Sequence, residues 1–166
     1  SINDLELIIN FLNKRIEVFF IDEGYKTEVI KSCLNSKSFN PFFILSKIKN
    51  LTKFLSTENG KNFMKAFKRL NSIADNTENN YKLNQSLLKK KEEIELFECI
   101  KSFKNNKENN PLRIDEFCYE KISCAINNFL DNIMVNAEEK ALRNNRKLLL
   151  SECKNALSSF FNFSIL

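Results

Sequence analysis

The chain has no histidine, no tryptophan, two glycines and two prolines among its 166 residues. Each shortage excludes chemistry. Without histidine there is no Ser-His-Asp triad, no Cys-His dyad and no zinc site with an imidazole ligand. With Gly24 and Gly60 as the only glycines, a glycine-rich phosphate loop or dinucleotide fingerprint is impossible. So few turn-formers also argue against a many-stranded β fold. No run of about 18 uncharged apolar residues occurs, so no membrane-spanning helix is expected. No secretory leader pattern is visible either. What remains is a mostly helical chain in which binding is expected rather than catalysis.

The composition supports that reading. At 43% hydrophobic and 28% charged residues, the 19.5 kDa chain is long enough for one domain with a real core. Cys33, Cys99, Cys118, Cys124 and Cys153 are odd in number and form no C-x-x-C pair. Neither a disulfide framework nor a zinc ribbon is expected, and the thiols point to a reducing, cytoplasmic setting. The net charge is +5 and is unevenly placed. Residues 1–74 carry 12 basic and 7 acidic side chains, and residues 75–166 carry 14 of each. A local surplus of this size suits contact with a polyanion, but it also suits an ordinary solvated helix face.

Apolar spacing is helical nearly throughout. Leu5, Ile8, Ile9, Leu12, Ile16 and Phe19 form a first stripe, with Asn3 as its cap and Gly24 as its stop. A short helix follows over residues 27–34. Asn40-Pro41 opens a third, and Thr57 caps a fourth with Phe63, Ala66, Phe67, Leu70 and Ile73 inward. A polar loop is expected over 75–83, a fifth helix over 85–103 and a second loop over 104–111 ending at Pro111. The sixth helix, 115–135, has Phe117, Ile122, Ile126, Phe129 and Ile133 on its stripe. Asn136 and Glu139 read as a capping box for the last helix. The expectation is one all-α bundle of about seven helices spanning 1–166.

Three charged constellations stand out. Lys61, Lys65, Lys68 and Arg69 recur at i, i+4, i+7 and i+8, opposite the apolar side of the fourth helix. Like charges on one face repel each other, and a phosphate backbone would relieve that repulsion. In the last helix Arg143 lies one turn from Lys140 and Lys147 and is expected to face water or a ligand. Asn145 and Arg146 lie one turn from Leu142 and Leu149, so a structural role is expected. Arg146 is expected to reach a carboxylate such as Asp131, because a half-buried guanidinium is kept only when paired. The run Lys89-Lys90-Lys91-Glu92-Glu93 circles its helix and is explained by i, i+3 and i+4 pairing. Adjacent acids such as Asp22-Glu23 and Glu138-Glu139 do not face each other and make poor acid–base pairs.

The segment FLDNIMVNAEEKALRNNRKLLL, from Phe129, resembles the C-terminal end of the β subunit of bacterial glycyl-tRNA synthetases, which ends in a DALR-type anticodon-binding domain. Its most specific part runs from Met134-Val135 to Arg146. Phe11, Arg15, Gly24 and Tyr25, the stretch AFKRLNSI from Ala66 to Ile73, and the tail NFSIL from Asn162 resemble further blocks of that family in the same order. Ser72 and Asn162 depart from its pattern, where Asn and Asp are usual.

The resemblance implies a non-catalytic helical domain forming the C-terminal part of a larger β subunit. The chain's start at Ser1 without Met fits that expectation. A separate α subunit would carry most of glycine activation with ATP and Mg, and this domain would need no cofactor or metal of its own. Its partner would be the anticodon arm of glycine tRNA. Lys61, Lys65, Lys68 and Arg69 would contact phosphates or bases, and Arg143 and Asn144 would read or orient one of the two shared anticodon cytosines. Asn136, Asn145 and Arg146 would be structural. Tyr25 or Tyr81 would be able to stack on a base. The alternatives are a DALR domain of another synthetase, such as the arginine enzyme, or a helical protein-interaction domain. An unusually large exposed Phe patch would favour the latter.

Overall fold

The computed structural model describes residues 2–34, 40–74, 82–109 and 113–166. Residues 75–81 of the loop expected over 75–83, Tyr81 among them, and Pro111 lie outside them. Seven α-helices and no strand occur among the described residues: α1 (Ile2–Asp22), α2 (Thr27–Cys33), α3 (Pro41–Ser56), α4 (Glu58–Ile73), α5 (Lys91–Asn109), α6 (Glu116–Asn132) and α7 (Lys140–Ser158). Two 3-10 turns, Gln85–Leu87 and Phe163–Ile165, complete them. The all-α bundle expected from the periodicity is therefore the fold.

Local chemistry sets the helix ends. Gly24 has φ 90, the left-handed conformation that only glycine adopts without a Cβ penalty. Its N–H donates to Ile21 O at 2.9 Å and the Tyr25 N–H to Phe20 O at 3.0 Å. This closes α1 in a Schellman motif, and the Tyr25 and Phe20 rings, 5.8 Å apart, supply its apolar contact. Asn40 Oδ1 accepts from Phe43 N at 3.1 Å at the head of α3, with Pro41 in the first turn. Thr57 Oγ1 accepts from Gly60 N at 3.0 Å at the head of α4. Asp115 Oδ1 accepts from Phe117 N at 3.1 Å at the head of α6.

The core is aromatic. Tyr119 of α6 packs against Phe54 of α3 and Phe63 of α4 with ring centroids 4.9 Å away in each case. Phe163 of the tail lies 4.8 Å from Phe63. Edge-to-face pairs of this kind add to area burial. The tail is fastened by Asn162 N donating to Ser32 O at 2.9 Å, so the last residues plug the space between α2, α4 and α7. α4 and α6 form the centre, α5 packs on α6, and α1 meets the rest through α2.

Several boundaries and faces differ from the expectation. Asn3 lies inside α1 rather than capping it. On α1 only Ile9 of the expected stripe is buried, joined by Phe20, while Leu5, Ile8 and Phe19 are exposed. The helix seats a narrow arc on its neighbour, and a wider apolar set is left outside. The fifth helix begins at Lys91 after a 3-10 turn and runs through residues 104–109, assigned above to a loop. Its buried positions are Glu93, Leu96, Cys99, Ile100, Phe103 and Lys107, and Ile94 is exposed. Phe117 is 71% exposed because it stands five residues before Ile122, about 140° around the helix. Ile73 is exposed because Ala74 takes the inward position one turn after Leu70.

Candidate nucleic-acid interface

α4 presents two chemically opposite sides. Phe63, Ala66, Phe67 and Leu70 are fully buried. Lys61, Lys65 and Lys68 are exposed on the far side. Lys61 Nζ makes a 3.7 Å pair with Glu58 Oε2 at the helix head. Such a surface pair adds little stability and is readily exchanged for another anion.

Arg69 is turned toward α6. Its Nη1 donates to Asn127 Oδ1 and its Nη2 to Asp131 Oδ1, both at 2.6 Å. Arg69 thus braces α4 against α6, and Asp131 is its carboxylate. Ser72 Oγ donates to Arg69 O at 2.7 Å, so its polar group is used within α4.

The expected Arg146–Asp131 pair does not form. Arg146 is 5% exposed, and its Nε donates to Glu93 Oε1 at 2.6 Å. Its Nη1 donates to Met134 O at 2.8 Å. Glu93 Oε2 accepts from the N–H groups of Lys89 and Lys90, each at 3.0 Å. This is the reach-back half of a capping box at the head of α5. Burial alone would raise the Glu93 pKa. The Lys90 N–H, the Arg146 guanidinium and the Lys89 N–H together outweigh it and hold the carboxyl below its usual range. The basic–acidic run 89–93 therefore hides a buried carboxylate. Its signal was its register, i+3 to Leu96 and i+7 to Ile100.

Asn136 does not cap the last helix. α7 starts at Lys140 with Glu139 at the N-cap and no side-chain cap bond, and Asn136 is exposed. Arg143, expected to face water or a ligand, is half-buried and donates from Nη1 to Ala137 O at 3.0 Å. It closes the turn before α7. Asn144 beside it is also half-buried. Asn145 is buried and exchanges two bonds with the Asn84 backbone, accepting from N at 2.8 Å and donating to O at 3.0 Å. The C-terminal ends of α4 and α6 and the heads of α5 and α7 thus meet at one end of the bundle. Arg69, Arg143, Asn145 and Arg146 all work there as fasteners. Among the sequence-chosen cations, Lys61, Lys65 and Lys68 on α4 and Lys140 at the head of α7 stay outward.

Two buried lysines escaped the sequence reading. Lys47 Nζ donates to Cys33 O at 3.2 Å and stands 5.1 Å from the Phe161 ring. Lys107 Nζ donates to Arg113 O at 3.0 Å and faces the rings of Tyr119, Phe160 and Phe161 at 5.3–5.6 Å. Burial lowers both amines, Lys107 to about 8. Phe161 is therefore flanked by two desolvated ammonium groups, which hold the tail by cation–π attraction. Burial likewise pushes the Cys33 thiol up to about 11. The five cysteines are unpaired. Among the described residues no helix is long and apolar enough to cross a membrane.

No protein-family model matches the chain. Comparison with characterised proteins gives consistent relatives, among them several glycine–tRNA ligase beta subunits. That of Aquifex aeolicus is 26% identical over 158 residues, which is 95% of this chain and 23% of the relative. That of Thermodesulfovibrio yellowstonii is 30% identical over 164 residues, 96% of this chain and 24% of the relative. That of Buchnera aphidicola (subspecies Schizaphis graminum) is 30% identical over 167 residues, 96% of this chain and 23% of the relative. The chain spans about a quarter of the length of these relatives. Over nearly all of its own length, it is a homologue of the beta subunits of glycine–tRNA ligase, an aminoacyl-tRNA synthetase.

Proposed function

We propose that this chain is the tRNA-binding domain of a glycine–tRNA ligase β subunit and holds the anticodon arm of glycine tRNA. The observation that carries the reading is the similarity of nearly the whole of this chain to about a quarter of those subunits. The exposed row Lys61, Lys65 and Lys68 supports it from the side of chemistry. Three cations on successive turns of a rigid, well-anchored helix are spaced to follow a phosphate backbone. Phosphate contacts position a nucleic acid, and base contacts specify it. Base reading falls to polar groups outside that row, with half-buried Arg143 and Asn144 at the head of α7 the candidates. Arg69 supports the surface by bracing α4 rather than by meeting RNA directly. The domain itself carries no catalytic step. Glycine activation with ATP and Mg belongs to the α subunit of the assembled enzyme, in a reducing, cytoplasmic compartment.

The test is binding of the chain to a glycine anticodon stem-loop and to one with both cytosines replaced. Tighter, salt-sensitive binding to the first is expected. Equal, weak and salt-insensitive binding to both would sink the anticodon assignment. One observation favours a second reading, a protein-docking surface: α1 exposes Leu7, Ile8, Phe11, Val18 and Phe19.

A further inference from the structure

α1 is apolar on two sides. Ile9, Ile16 and Phe20, spaced i, i+7 and i+11, turn inward, with Ile9 and Phe20 buried. Leu7, Phe11 and Val18 recur at i, i+4 and i+11 on the other side and are 58–68% exposed. Ile8 and Phe19, eleven residues apart and each 56% exposed, flank them. From Leu7 to Phe19 this outer stripe extends about 18 Å along the helix. It continues into a groove of about 450 Å³ lined by Phe19, Phe20, Tyr25, Phe42 and Leu45, with Glu23 and Lys49 also on its wall. Phe42 at its edge is 84% exposed. Contiguous apolar surface rimmed by charge marks an interaction site.

We propose that the outer face of α1 and this groove seat another segment of the β-subunit polypeptide, one outside these 166 residues. The inference rests on the β-subunit reading above. The occupant follows from length: the relatives match this chain over only 23–24% of their own residues. A subunit of that size presents a large neighbouring surface on the same polypeptide, at high effective concentration. The face selects its chemistry. The stripe is mainly aliphatic and aromatic, its cations are Lys14, one turn from both Phe11 and Val18, and Arg15, 5.8 Å from the Phe11 ring, and Glu23 and Lys49 can each meet an opposite charge at the groove. An amphipathic helix with leucine- or phenylalanine-sized anchors at i, i+3 or i+4, and i+7 fits it.

The experiment compares amide hydrogen exchange over residues 7–19 in the 166-residue chain and in the full β polypeptide. Exchange at least about tenfold slower in the full polypeptide is expected. The pair Leu7→Lys and Phe11→Lys should abolish that difference while leaving the melting temperature of the 166-residue chain unchanged, since both side chains stand in solvent there. Equal exchange in the two polypeptides overturns the proposal. So does a 166-residue chain that sediments as a dimer and is made monomeric by the same pair, which assigns the face to a second copy. Loss of stem-loop discrimination with α1 protection intact would sink the anticodon assignment alone. Unprotected α1 with discrimination intact would sink the docking proposal alone.

Discussion

α1 and α4 are both amphipathic by spacing, yet they meet water in opposite ways. α4 buries Phe63, Ala66, Phe67 and Leu70 and turns Lys61, Lys65 and Lys68 outward. α1 buries Ile9 and Phe20 and turns Leu7, Phe11 and Val18 outward. α4 is at the centre of the bundle, against α3, α6, α7 and the tail, whereas α1 leans on α2. A helix with one apolar side has its orientation decided by the core. A helix with two apolar sides satisfies only one of them within this chain. α4 has its apolar side covered among the described residues, whereas the outer side of α1 is the surface for which a neighbour is proposed.

The largest effect that would break this contrast is a pair of truncations. Phe63→Ala removes a buried ring in contact with Tyr119 and Phe163 and should cost about 3–5 kcal/mol. Phe11→Ala removes a ring that is 60% exposed and should change stability by less than about 0.5 kcal/mol. Urea unfolding of the 166-residue chain measures both. A comparable loss for Phe11→Ala would mean that the outer face of α1 is packed within this chain in solution.

The two glycines sharpen the same contrast at the helix ends. A Cβ on Gly60 would run into the Phe54 carbonyl, the acceptor of both the N–H and the hydroxyl of Thr57. Gly60→Ala should therefore cost about 1–3 kcal/mol through a shifted α3–α4 corner. A Cβ on Gly24 meets nothing within 4 Å, and only the positive φ is strained, so Gly24→Ala should cost about 1–2 kcal/mol. Thermal melts of the two variants should fall in that order.

Lysine placement gives a third test. The α4 lysines face water, but Lys107 is 2% exposed with its amine lowered to about 8 by burial. Its ordinary value is 10.5. Between those values the unfolded chain binds the extra proton. The penalty for folding is thus complete below pH 8 and disappears as pH rises through 10.5. Relative to wild type, Lys107→Met should be more stable below pH 8 than its lost bond to Arg113 O alone would suggest. That advantage should shrink by about 3 kcal/mol at most across the window. A pH-independent difference in unfolding free energy would show that Lys107 is solvated in solution.

Much of this architecture was legible in the sequence, for reasons that particular residues display. Gly24, Asn40-Pro41 and Thr57 mark ends because their side chains, or the lack of one, act on the nearest backbone. The α4 stripe was legible because one side is apolar and the other charged. Legibility failed where a charged residue occupies a buried register. Glu93, Leu96, Ile100, Phe103 and Lys107 form an unbroken i+3, i+4 series, but its first and last members read as surface residues. Arg146 was correctly placed near the core, yet its partner lay on α5 rather than α6, because Arg69 already holds Asp131. Pairing across helices depends on which rival cation is nearer, and spacing along one helix does not carry that. The α1 faces failed differently: both were apolar, so period alone could not choose.

The smallest stability effect carries the functional side of the comparison. Lys65→Ala or Lys68→Ala should change folding stability by less than about 0.5 kcal/mol and can even raise it, since like charges one turn apart repel. Arg69→Ala should cost up to about 1 kcal/mol, because it removes an exposed but doubly bonded brace to Asn127 and Asp131. Stem-loop binding should rank them the other way. Each outward lysine that meets a phosphate should lower the slope of log affinity against log salt by about 0.7–0.9. Arg69→Ala should leave that slope nearly unchanged and weaken binding only through a looser α4. The outer side of α4 would then differ from that of α1 in kind, one reading salt-dependent phosphate charge and the other a salt-insensitive apolar neighbour. If the Lys65 and Lys68 variants leave both affinity and slope as they were, the α4 row is merely solvated, and the RNA surface must be sought elsewhere, beginning with Arg143 and Asn144 at the head of α7.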